Sequence, residues 1–148
     1  MKIKDAFNGI SKLALDTAPI IYFVEKHPDY LQKMRYVFQL IDIGQIVGFS
    51  ATITLTEVLN FPIQQNATQL IKDYDDILQN SKGFQLIPID NSIARVAANL
   101  RAKYRLKTPD ALQIATALET NSDAFLTNDF QLRRVQELPI IILADLLI

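Results

Sequence analysis

Apolar positions in this chain repeatedly change period, from short continuous runs to helical spacing, and each change marks an element. Lys12-Leu13-Ala14-Leu15-Asp16 is a short apolar run ending on an acid, and Thr17-Ala18-Pro19 then opens a helical stretch through Ile20, Ile21, Phe23 and Val24. His27-Pro28-Asp29 breaks that helix, with His27 expected as an exposed loop residue. Tyr30, Leu31, Met34, Val37, Phe38 and Ile41 follow at the spacing of an amphipathic helix that stops near Asp42-Ile43-Gly44. Gln45 to Ser50 reads as a second buried strand, and Thr54-Leu55-Thr56-Glu57 has the form of a capping box ahead of Val58 and Leu59. Phe61-Pro62 is expected to interrupt the helix that follows. Leu70, Ile71, Tyr74, Ile77 and Leu78 mark a further helix, with Asp73, Asp75 and Asp76 on a solvated face.

Phe84 to Ile89 is a predicted strand with an edge-type proline, and Asp90 to Tyr104 a helix with Ile93, Val96, Ala97 and Leu100 inward. Thr108 then reads as the N-cap of another helix, with Pro109 at its first position and Asp110 in its first turn. Phe125 to Asp129 is a short strand ending on an acid, Phe130 to Val135 a short helical turn, and Pro139 to Leu143 a last strand. Strands alternating with helices predict an α/β fold around a mainly parallel sheet. Residues 1–11 carry the turn signal Asn8-Gly9 without a convincing period and are expected to form a leader, with residues 12–148 as a single domain.

Composition narrows the chemistry. The 148 residues, 49% hydrophobic and 21% charged, suit one compact domain. With no cysteine and His27 as the only histidine, thiolate chemistry and sulfur-ligated zinc are excluded, and any metal site must be an oxygen site for a hard cation such as Mg²⁺ or Mn²⁺. A net charge of −1 does not advertise nucleic acid as a partner, so such binding would rest on a local basic patch. No apolar run is long enough to span a bilayer, which leads to the expectation of a cytoplasmic protein with no membrane partner.

Four acids share one sequence context: Asp16 after the first strand, Glu57 after the second, Asp110 opening a helix, and Asp129 after the penultimate strand. Each taken alone has an ordinary explanation, since carboxylates stabilise helix N-termini by roughly 0.3–1 kcal/mol. In a parallel sheet, however, ligands gather beyond the carboxyl ends of the strands, so acids at these junctions collect on one edge. Clustered carboxylates repel one another and call for a cation, and Mg²⁺ or Mn²⁺ held by acids suits phosphodiester hydrolysis. Arg101, Lys103, Arg105 and Lys107 before Asp110, with Arg133 and Arg134 after Asp129, either hold a nucleic-acid backbone or serve as helix-dipole partners. Tyr22 and Phe23 are candidates to stack on a base, although the spacing of Phe23 suits the core.

Leu15-Asp16-Thr17, Thr56-Glu57-Val58-Leu59, Thr108-Pro109-Asp110-Ala111-Leu112-Gln113-Ile114-Ala115-Thr116-Ala117 and Phe125-Leu126-Thr127-Asn128-Asp129 resemble, in that order, the acidic motifs of PIN domains. The likeness is nearest to the VapC-like ribonuclease toxins of bacterial and archaeal toxin–antitoxin pairs. That resemblance implies a three-layer α/β/α fold and a Mg²⁺- or Mn²⁺-dependent endoribonuclease acting on single-stranded or looped RNA. It also implies a homodimer, and inhibition by a small antitoxin whose tail occupies the acidic site. Carried over by motif, the catalytic and metal-binding acids would be Asp16, Glu57, Asp110 and Asp129, with Thr127 and Asn128 orienting the last, and Lys107, Arg133 and Arg134 meeting RNA. Ala18 departs from the pattern, because many members have Asn there; Phe130 follows Asp129 directly, where some carry a further Asp. The alternatives are a catalytically weak relative that binds RNA or protein, and a phosphoacceptor domain, which expects adjacent acids where this chain has Asp16 alone.

Overall fold

The computed structural model describes residues 1–148. Five strands form one sheet: β1 (Lys12–Leu15), β2 (Val47–Ala51), β3 (Phe84–Ile87), β4 (Ala124–Thr127) and β5 (Ile140–Ile142). Their spatial order is β3-β2-β1-β4-β5 and every pairing is parallel. Helices α2 (Thr17–Val24) and α3 (Leu31–Asp42) link β1 to β2, and α4 (Ile53–Gln64) and α5 (Thr68–Asn80) link β2 to β3. Helices α6 (Asn91–Tyr104) and α7 (Thr108–Glu119) then carry the chain back across the sheet to β4. Right-handed crossovers put helices on one face while the strands step one way and on the other once the direction reverses, which produces three layers. No helix is long and apolar enough to cross a membrane.

Strand alternation divides the core in two. Leu13, Leu15, Ala124 and Leu126 point into an 18-residue cluster with Ile20, Val37, Phe38 and Tyr74. The intervening Ala14 and Phe125 point into a 13-residue cluster with Ile93, Ala97, Leu100 and Ile114. A central strand is therefore apolar on both faces, which is why β1 and β4 read as continuous runs. Ile3 and Phe7 of the first eleven residues are buried in the larger cluster, helped by a helical turn α1 (Ile3–Ala6) and a bridge from Lys2 to Leu147.

Close packing at the edge of the larger cluster depends on Gly48 in β2. A Cβ there would lie 2.8 Å from Cδ2 of Phe84 and 3.0 Å from Cδ1 of Ile41, both buried side chains. Gly48→Ala should destabilise the fold by about 1–3 kcal/mol through overpacking. Urea denaturation measures this, and an unchanged midpoint would mean that Phe84 swings aside at no cost.

Several boundaries differ from expectation. Helix α4 begins at Ile53, so Thr54 lies inside it and makes no cap, and the Thr54–Glu57 capping box does not form. Pro62 does not interrupt α4 either. Thr54, Val58 and Pro62 share the buried face at i, i+4, i+8 spacing, and in the last turn the missing N–H of Pro62 forfeits a single bond. At α7 the N-cap is Lys107 without a side-chain bond, so Thr108 is the first helical residue rather than the cap. His27 is half-buried between Tyr22 and Tyr30 rather than an exposed loop residue.

Candidate functional site

The order of strands locates the site. The chain steps outward from β1 to β3 on one side, then returns to place β4 on the other, so β1 and β4 flank the point where direction reverses. Crevices at the carboxyl ends of such strands are where open α/β sheets take ligands. Asp16 follows β1 directly and caps α2 through Oδ1, which accepts from Thr17 N–H at 2.9 Å. Asp129 follows β4 and caps a 3₁₀ turn over Phe130–Arg134 by accepting from Gln131 N–H at 3.0 Å. Asp110 stands in the first turn of α7, which packs against β1 and β2, and Glu57 on the second turn of α4.

Threonines orient two of these acids. The buried Thr127 hydroxyl donates to Oδ2 of Asp16 at 2.7 Å while accepting from the Asp129 N–H at 3.1 Å, so one side chain ties the ends of β1 and β4 together. Across the crevice the Thr17 hydroxyl donates to Oε1 of Glu57 at 2.7 Å. Asn128 does not orient Asp129. Its Oδ1 accepts from Ala144 N–H at 2.8 Å and its Nδ2 reaches the Tyr22 hydroxyl at 3.4 Å, so it braces the segment after β5.

Beneath the acids lies a group for which the sequence reading assigned no role. Gln113, buried on α7, accepts from the Ala51 N–H at 3.1 Å and donates to the hydroxyls of Thr54 at 2.8 Å and Thr17 at 3.2 Å. Ser50 joins through Thr54 at 2.7 Å. Because Thr17 donates to Glu57, it must accept from Gln113, and the proton order runs outward from the buried amide to the carboxylate. The available signal was a polar residue among Ala111, Ile114 and Ala115, where helical spacing demands an apolar one.

Burial and mutual repulsion set the charges. Asp16 is pushed up to about 6 from an ordinary 3.8, chiefly by desolvation and further by Asp110 and Glu57, against the lowering bonds from Thr127 and Thr17. Asp110 is raised by desolvation, then by Asp129 and Glu57, with Lys107 opposing. The helix N-terminus that favours an ionised Asp110 is thus outweighed by its surroundings. All four acids are linked in one field through Asp110, with Asp16 and Asp110 half-buried and Glu57 and Asp129 exposed.

No ion pair neutralises them. The ion pairs of the chain are Lys72–Asp76, Lys103–Glu137 and Arg133–Asp145, and none involves a crevice acid. Of the basic residues singled out in the sequence, Lys107 acts on Asp110, Arg133 is held by Asp145 and stacks 4.8 Å over the Phe130 ring, and Arg134 is exposed. The donor set, all oxygen, fits a hard divalent cation in chemistry. In geometry no three acidic or histidine side chains are assembled as a group that could enclose one.

The fold has known counterparts. VapBC2 from Rickettsia felis, solved bound to a promoter DNA fragment, is 18% identical at a TM-score of 0.72, covering 88% of this chain and 98% of its own. DNA-bound VapBC from Salmonella typhimurium is 17% identical at 0.69, with 90% and 99% covered. VapC20 of Mycobacterium tuberculosis, a sarcin–ricin loop cleaving toxin, is 11% identical at 0.66, with 86% and 98% covered. At these identities the likeness is one of fold. No curated protein matches the sequence. The family profile of the PIN domain, however, matches residues 13–138, a span that holds the whole of the smaller core cluster, most of the larger one and all four crevice acids, and the chain belongs to the PIN-domain family.

Proposed function

We propose that the crevice between β1 and β4 is the site of a PIN-type endoribonuclease that cleaves single-stranded or looped RNA with Mg²⁺ or Mn²⁺, as the toxin of a toxin–antitoxin pair. The observation that carries this reading is an acid field without ion pairs, with Asp16 raised to about 6 where no basic side chain answers it and Lys107 only partly offsetting Asp110. Asp16, Glu57, Asp110 and Asp129 would hold the cation, which when bound supplies an activated water and neutralises charge at phosphorus. The chain's own parts do the positioning. Thr127 holds Asp16 and Thr17 holds Glu57, while Lys107 and Arg134 attract the RNA backbone toward an otherwise repellent pocket. A small antitoxin and a second copy of the chain are the proposed partners, supported by the solved toxin–antitoxin complexes of the same fold.

One observation favours a second reading, and on geometry alone favours it more. No three carboxylates are gathered to enclose an ion, as suits a catalytically weak module that binds RNA or a protein partner through the same crevice. A single titration separates the two. Purified protein is incubated with a looped RNA in chelator and then in rising Mg²⁺ or Mn²⁺; the nuclease reading expects cleavage that appears with the ion and vanishes on chelation. RNA that is bound yet intact at every ion concentration would establish the second.

A further inference from the structure

Beside the acids, three polar aromatic side chains form a closed triangle at the turn between α2 and α3. Tyr22 lies 4.8 Å from His27 and 4.8 Å from Tyr30, and His27 lies 4.8 Å from Tyr30, all between ring centroids. Each ring is half-buried: Tyr22 and Tyr30 rest on the larger core cluster, as does Phe23, which stacks at 4.3 Å on the buried Phe38. The triangle adjoins the crevice through the Asn128 amide on the Tyr22 hydroxyl, one residue from Asp129. Tyr22 is six positions past Asp16, about 9 Å along the helix axis.

Its polar atoms are mostly donors without a protein acceptor. The His27 Nδ1 accepts from Asp29 N–H at 3.1 Å, which fixes the tautomer and leaves the proton on Nε2. That Nε2–H and the Tyr30 hydroxyl make no hydrogen bond within the chain, and Tyr22 accepts from Asn128 with its own proton uncommitted. Lys33 completes the rim, 5.6 Å over the Tyr30 ring and tethered to the Leu143 carbonyl at 3.2 Å. Flat rings, surplus donors and one cation match a nucleobase, which has a π face and acceptor edges. They match an acidic or apolar peptide less well, since neither uses both the faces and the donors.

We propose that Tyr22, His27 and Tyr30 form a stacking subsite for a base of the RNA strand whose phosphate enters the acidic crevice. This rests on the RNA reading of that crevice. The subsite holds the strand by its base, so the phosphate need not be bound by the acids alone.

The test uses the full chain carrying Asp110→Asn, to prevent cutting, and a short single-stranded RNA with 2-aminopurine at successive positions in Mg²⁺. The expected result is fluorescence quenching at one position, lost in Tyr30→Ala and kept in Tyr30→Trp. Affinity should fall about tenfold in Tyr30→Ala, and by no more when the base is also removed from the RNA. Thermal unfolding midpoints establish that both variants fold, and His27→Ala supplies a second deletion. Equal affinity of parent and ring-deleted chains, or equal binding of abasic RNA, would overturn the subsite and leave the rings as a protein-facing surface. Failure of the parent to bind any RNA would overturn the RNA reading itself, and the subsite with it.

Discussion

Asp16→Asn is expected to make the metal-free protein more stable at pH 7 while removing RNA cleavage. The folded-state value of about 6 lies above the ordinary 3.8, so between those values the native state holds the proton more tightly than the unfolded chain. Stability is therefore full below about pH 4, falls as pH rises, and reaches its lower plateau above pH 6. At about 1.4 kcal/mol per unit the loss is about 3 kcal/mol for this group. Asn keeps an oxygen for the Thr17 N–H and carries no charge, so the variant should lack this loss. Its Nδ2 cannot accept from Thr127 as Oδ2 does, at a cost of about 1 kcal/mol. The net is a gain of about 2 kcal/mol at pH 7 and a loss of about 1 kcal/mol at pH 4. Added Mn²⁺ should stabilise the parent and leave the variant unmoved, and cleavage should drop by about a hundredfold or more. Urea denaturation in chelator at pH 4, 5, 6 and 7 measures the first part; parallel pH profiles for parent and variant would sink the assignment of the charge penalty to Asp16.

Gln113→Leu should be the most damaging substitution under the crevice. Leu fills much of the volume but strands the Ala51 N–H, which cannot turn elsewhere, and removes the donor shared by Thr17 and Thr54. With one orphaned amide and a broken hydroxyl chain, a loss of about 3–5 kcal/mol is expected. Gln113→Glu supplies acceptors and a buried negative charge beside Glu57, so it should be weak at pH 7 and recover as pH falls. Denaturation of both variants at pH 5 and 7 checks this. A Gln113→Leu protein within about 1 kcal/mol of the parent would show that water replaces the amide.

The fold was legible because its strands are short apolar runs bounded by acids and turns. Leu13-Ala14-Leu15 and Ala124-Phe125-Leu126 are apolar on both faces, as a covered central strand demands. The acids were legible as positions and motifs, since Asp16 and Asp129 each follow a strand and Asp110 opens a helix, while Glu57 stands a turn further into α4. What was hidden depended on partners remote in sequence. Thr54 looked like a cap because its neighbours fit a capping box, yet its hydroxyl is taken by Ser50 and Gln113 from below the sheet edge. The family motif offered Asn128 as an aid to Asp129, whereas its amide turns to Tyr22 and Ala144. Pro62 looked like a breaker because propensity does not know that it sits in a last turn with its ring facing inward.

The Thr127–Asp16 hydrogen bond joins residues 111 positions apart. A ribosome adding 5–20 residues per second needs roughly 6–22 s to cross that interval. During that time β1 can pair with β2, but its other edge stays open and Asp16 has no Thr127 to hold it. The crevice is thus absent from the growing chain until β4 emerges and docks. The order of its strands delays the crevice until most of the chain has been made.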